Sequence, residues 1–136
     1  MIRIASLIFV PFLLVAASAS PSWAIDKCGS GQRVTCIVDG DTFWLRGEKF
    51  RAMGYDTPEP QTGLCGGEKE RQLAARATAR LIELFNTTQI TYERHGQDRY
   101  GRTLAVLWSN GTLVGDILIS EGLARRYPDG REFWCN

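Results

Sequence analysis

The stretch Val38-Asp39-Gly40-Asp41-Thr42-Phe43-Trp44-Leu45-Arg46-Gly47 sets two carboxylates around a glycine, after one apolar run and before another. Asp-Gly between alternating apolar residues is the strongest short-range hairpin signal a sequence offers. Residues 33–38 and 42–45 therefore read as strands meeting at this corner, and a second tight turn at Arg46-Gly47 returns the chain along residues 49–55. Asp56-Thr57-Pro58-Glu59-Pro60 stops the third strand, because proline cannot donate to a ladder and restricts the residue before it. In such a meander the first corner and the end of the third strand share one end of the sheet, which brings Asp41 towards Asp56.

Beyond a Gly-rich loop at residues 61–67 the spacing changes. Leu73, Ala77, Leu81, Leu84 and Phe85 recur every three or four residues, which predicts a long helix over 68–85. Residues 89–92 and 103–108 read as two more strands across the polar turn 95–102. Leu113, Ile117, Leu118 and Leu123 suggest a short helix over 112–121, stopped by Gly122. This order predicts a mainly β, α+β fold: an OB-like five-stranded barrel with one long helix packed across it and a short second helix. An open sheet with helices on one face fits the same order.

The first residues carry one basic side chain, Arg3, then an apolar run, then Ser22-Trp23-Ala24, a small-x-small cleavage pattern. Residues 1–24 read as a signal peptide. The run contains Pro11 and falls short of the roughly 20 residues a membrane span needs, so an uncleaved anchor is the weaker reading. Residues 25–136 remain, enough for a single domain. Without Arg3 they hold 15 basic and 15 acidic side chains, so bulk charge does not announce a nucleic-acid binder. Cys28, Cys36, Cys65 and Cys135 all follow the cleavage site, and an even count in a small exported domain argues for two disulfides. Zinc is the competitor, but there is no C-x-x-C pair and a single histidine, His95. Of three possible connectivities, Cys28 with Cys36 and Cys65 with Cys135 is preferred.

Elimination narrows the chemistry. One histidine forbids a two-histidine acid/base pair, no G-x-S-x-G supports acyl transfer, and no phosphate-binding glycine motif supports a nucleotide cofactor. Carboxylates and arginines remain. Asp39, Asp41, Asp56 and Glu59 sit at chain breaks; crowded carboxylates repel unless a cation lies between them, and all-oxygen ligands suit Ca²⁺ or Mg²⁺. Arg51 on the third strand and Arg102 at the foot of the fifth are placed for the same end, and a planar guanidinium grips phosphate through paired hydrogen bonds. Together these residue types describe phosphodiester hydrolysis. Each alone has a plainer explanation as a turn or a solvated charge.

Taken in order, Val38-Asp39-Gly40-Asp41-Thr42, then R-x(4)-D-T-P-E from Arg51 to Glu59, then D-R-Y-G-R-x-L from Asp98 to Leu104, then E-G-L-A-R from Glu121 to Arg125, resemble the thermonuclease family of staphylococcal-nuclease-like domains. The resemblance runs from about Arg33 to Arg126. It implies an OB-fold barrel and Ca²⁺-dependent cleavage of DNA and RNA that leaves 3′-phosphates, with single strands favoured. It implies further that Asp41, Asp56 and the carbonyl of Thr57 hold the cation, with Asp39 in support. Glu59 is then the general base, and Arg51 and Arg102 clamp phosphate. A monomeric, periplasmic or secreted enzyme is the expectation that follows.

Departures from the family are visible. The hairpin between Asp41 and Arg51 is shorter than in its best-known members, and their long C-terminal helix has no counterpart, so the Cys65 to Cys135 bridge is expected to hold that end. The base-stacking aromatics do not align cleanly; Tyr100 and Tyr127 are the candidates, with Phe133 and Trp134 behind them. Two rival readings stand beside the nuclease: an inactive nucleic-acid-binding barrel, and a disulfide-stapled envelope interaction domain with structural Ca²⁺.

Overall fold

Hairpin chemistry and one amphipathic helix account for most of the architecture. The computed structural model describes residues 23–61 and 63–135, and the leader read at 1–24 lies outside them except for Trp23 and Ala24. The sheet begins with β1 (Cys36–Ile37), β2 (Thr42–Leu45) and β3 (Glu48–Ala52), followed by a two-residue strand, β4 (Tyr55–Asp56). Helix α1 (Gly67–Thr87) leads into β5 (Ile90–Gln97) and β6 (Thr103–Ser109). Then come β7 (Thr112–Leu113), helix α2 (Val114–Ser120), β8 (Arg125–Arg126) and a 3₁₀ turn at Phe133–Cys135.

The main sheet runs β1-β2-β3-β6-β5, with β7 on β6, and a second ribbon pairs β4 with β8. Antiparallel pairs join β1, β2 and β3, and β5 with β6, whereas β3 and β6 run parallel. This is the OB-like α+β arrangement, although among the described residues the strands do not close hydrogen bond by hydrogen bond into a barrel. The third strand read as continuous is broken at Met53-Gly54, where Gly54 takes φ +84 and redirects the chain into β4. The second helix starts two residues late because Thr112 and Leu113 pair with β6 instead.

The core lies between sheet and helix. Phe43 and Phe50 sit opposite each other on β2 and β3 with rings stacked at 5.2 Å, and Phe85 of α1 tilts onto Phe43 at 5.5 Å. Ala77, Leu81 and Leu84 complete the buried stripe of α1. Leu81 is fully enclosed, so Leu81→Ala should cost about 2 to 5 kcal/mol of stability, read as a lower denaturation midpoint with unchanged slope. Both disulfides are formed, Cys28 with Cys36 and Cys65 with Cys135. Among the described residues, no helix is long and apolar enough to cross a membrane.

Candidate active site

The Asp-Gly corner is shaped by packing rather than by an unusual glycine backbone. A Cβ on Gly40 would come within 2.7 Å of the Thr57 methyl and 2.9 Å of the Ala77 methyl, so only glycine lets the corner press against α1 and the start of the 57–66 loop. The Asp39 carboxylate accepts the N–H of Asp41 at 3.1 Å, and the Tyr55 hydroxyl donates to the Gly40 carbonyl at 2.9 Å. So braced, the corner points Asp41 inward, 6% exposed.

Asp41 is held from three sides. Its Oδ2 accepts the N–H of Thr57 at 3.0 Å and the Thr57 hydroxyl at 3.1 Å, its Oδ1 accepts the Thr42 hydroxyl at 3.0 Å, and Arg51 Nη1 lies 3.2 Å away. Arg51 also reaches Asp56 through Nη2 at 3.1 Å, while its Nη1 donates to the Ala52 carbonyl at 2.9 Å. On the other side of Asp56 stands Arg125, with Nε at 2.9 Å from Oδ2. Arg125 is itself steered by the Gly130 carbonyl and by Glu132.

A cleft of about 800 Å³ opens over this cluster and is bounded by Asp39, Asp41, Arg51, Asp56, Glu59 and Arg102, with Tyr100 and Tyr127 at its rim. The structure thus brings together every side chain that the sequence singled out for chemistry. Thr57 is buried just behind, bound to Asp41. Arg102 is aimed by Asp98, whose Oδ2 accepts its Nε at 2.7 Å and whose Oδ1 accepts the N–H groups of Tyr100 and Arg102. Tyr100 and Tyr127 are 67% and 52% exposed, each with two guanidinium groups near its ring: Arg99 and Arg102 for the first, Arg51 and Arg125 for the second. Trp134 is buried and packs against Phe133 rather than facing the cleft. His95 is half-exposed on β5, paired with Glu93.

Negative charge is crowded here. Burial, reinforced by the Asp39 charge, pushes the Asp41 carboxyl up to about 6 against the pull of Arg51. Burial raises Asp56 too, opposed by the hydrogen bond from Arg125, and Glu59 is raised by partial burial and by the charges of Asp41 and Asp56. Such a set fits a hard divalent cation: the donors are all oxygen, and the charge is incompletely balanced by arginine. Among the described residues, no three side chains of the cleft bring carboxylate oxygens within 4.8 Å of one another.

Three contributors escaped the sequence reading. Arg125 was visible as the last residue of E-G-L-A-R, but its pairing with Asp56 spans 69 positions. Tyr55 sat unnoticed inside the third strand. Glu70 looks like an ordinary exposed acid in the first turn of a helix, yet it is 1% exposed.

Residues 49–132 match the family described as staphylococcal nuclease homologue. A thermonuclease of Staphylococcus intermedius is 32% identical over 120 residues, covering 79% of this chain and 67% of that protein. A thermonuclease of Staphylococcus hyicus is 36% identical over 100 residues, covering 68% and 57%. A micrococcal nuclease of Shigella flexneri is 29% identical over 135 residues, covering 91% and 71%. The chain therefore spans between somewhat over half and somewhat over two thirds of the length of these relatives.

Proposed function

The chain belongs to the staphylococcal nuclease homologues, and from that premise we propose that it is an exported, monomeric, Ca²⁺-dependent nuclease that hydrolyses DNA and RNA and leaves 3′-phosphates. One observation carries this reading: three of the four motifs, which are separate in sequence, line a single cleft with Asp41, Arg51, Asp56, Glu59 and Arg102 on its walls, and the fourth ends in Arg125, which pairs with Asp56. Asp41, Asp56 and the Thr57 carbonyl would hold the cation, with Asp39 in support, and the bound cation would supply positive charge to a phosphate oxygen. Glu59 takes a proton from water as its oxygen attacks phosphorus. The bond from phosphorus to the 5′-oxygen breaks and that oxygen takes up a proton from solvent, leaving a 3′-phosphate and a 5′-hydroxyl. Its raised carboxyl makes Glu59 a stronger base than an exposed glutamate. Arg51 and Arg102 receive the phosphate oxygens, whose charge grows in the transition state.

Single strands are the favoured substrate, because the exposed rings of Tyr100 and Tyr127 offer stacking surfaces that paired bases do not reach. Two disulfides in a domain of this size support an oxidising, extracytoplasmic compartment, in line with the reading of residues 1–24 as a leader. With near-neutral charge after the leader and few arginines at the cleft, affinity for single-stranded DNA should fall only gently with salt. A log-log slope of about −2 corresponds to roughly three phosphate contacts, and a slope several times steeper would contradict this.

The test is cleavage of a single-stranded DNA oligonucleotide carrying a fluorophore and a quencher, by the oxidised protein, in Ca²⁺ and in excess EGTA. Expected are cleavage in Ca²⁺, loss of at least 99% of it in EGTA on the scale of a required Lewis acid, and recovery on adding Ca²⁺ back. Binding without turnover in Ca²⁺ would instead favour the inactive barrel.

A further inference from the structure

We propose that Glu70 is a positioning residue that fixes the Glu59 base by its main chain, an inference that rests on the role given to Glu59 above. Glu70 stands in the first turns of α1 and is 1% exposed. Carboxylates are seldom so buried without partners, and those of Glu70 are two backbone groups. Its Oε1 accepts the N–H of Glu59 at 3.1 Å, and its Oε2 accepts the N–H of Gly66 at 2.9 Å.

Among the described residues, none donates a hydrogen bond to the Glu59 carboxylate, so its place in the cleft follows from where its backbone is held. Thr57 is tied to Asp41 by its N–H and hydroxyl. Pro58 is buried, with φ set by its ring. Glu59 is tied to Glu70. Three consecutive residues are thereby fixed, leaving the side-chain torsions of Glu59 as the remaining freedom.

The anchor is rigid, since α1 is packed into the core through Ala77, Leu81 and Phe85. The second tie has its own lock: a Cβ on Gly66 would lie 1.8 Å from the Trp134 carbonyl, so Gly66 is pressed against the 3₁₀ turn that the Cys65–Cys135 bridge holds. A purely structural carboxylate explains the burial of Glu70. It does not explain why one oxygen is given to the N–H of the base itself.

Glu70→Ala and Glu70→Gln test this, alone and combined with Glu59→Gln, as kcat and KM on the single-stranded oligonucleotide in Ca²⁺ at a temperature where circular dichroism shows each variant folded. Glu70→Ala is expected to lower kcat by about 10- to 100-fold, the scale of a small misplacement of a reacting group, with KM changed less than about threefold. Glu70→Gln keeps one acceptor oxygen and should recover part of the loss; if the alanine variant does not fold, the glutamine variant serves in the same comparison. In the Glu59→Gln background either change should move kcat less than about twofold, because what Glu70 positions is already gone. Equal losses in both backgrounds, or a lowered melting temperature with intact kcat, would overturn the proposal and leave Glu70 structural. An unaltered kcat in Glu59→Gln alone would overturn the base assignment, and this inference with it.

Discussion

Glu59→Gln should lower kcat by roughly two to four orders of magnitude, the range a positioned general base contributes, while KM changes little. Glutamine matches the size of glutamate but cannot take the proton of the attacking water. Among the described residues the Glu59 side chain accepts no hydrogen bond, so the substitution removes no fold-stabilising contact. It does remove a carboxylate that is crowded by Asp41 and Asp56. The melting temperature should therefore hold or rise slightly. Steady-state and single-turnover kinetics beside a thermal melt check both parts, and a loss under tenfold would remove Glu59 as the base.

Loss of the Cys65–Cys135 bridge carries the largest expected effect on stability. Its ends lie 70 positions apart, against 8 for Cys28–Cys36. On the loop-entropy account the long bridge stabilises by about 4 kcal/mol and the short one by about 2.5 kcal/mol. At roughly 4 °C per kcal/mol for a domain of this size, the Cys65→Ser/Cys135→Ser pair should melt roughly 8 to 16 °C lower and Cys28→Ser/Cys36→Ser less. The packing agrees, because the bridge pins the turn whose Trp134 is 2% exposed and closes over the start of α1. Calorimetry of the two double variants, with and without a dithiol reductant, decides it; melts that do not move would show that the bridges carry no stability.

Local signals in the sequence were read successfully wherever one interaction dominated. The Asp-Gly corner, the Arg46-Gly47 turn and the stripe Leu73, Ala77, Leu81, Leu84 each depend on neighbours within a few residues, and each appears in the structure near its expected place. Two-residue strands give no period to read, so the β4–β8 ribbon was invisible, and with it the meeting of Asp56 and Arg125. The parallel pairing of β3 and β6 was equally hidden, since nothing local marks a partner about 50 residues away. Glu70 was missed for a different reason: burial of a charge on a helix depends wholly on what loop folds over it. The resemblance to a family filled part of this gap at Asp41, Arg51, Asp56, Glu59 and Arg102, but it did not point to Glu70.

In the parallel pairing of β3 with β6, Arg51 lies opposite Leu104 and Phe50 opposite Thr103, so Arg102, the residue just before β6, enters the cleft beside the strand that carries Arg51. Neighbouring strands keep a spacing of about 4.8 Å regardless of the loops that join them. The sheet therefore acts as a ruler for the two cations. A residue gained at the Arg46-Gly47 turn lengthens the far end of the β2–β3 hairpin and leaves this spacing alone, whereas a residue gained inside β3 turns Arg51 to the opposite face. The outer turns can thus change length while the spacing of β3 and β6 holds.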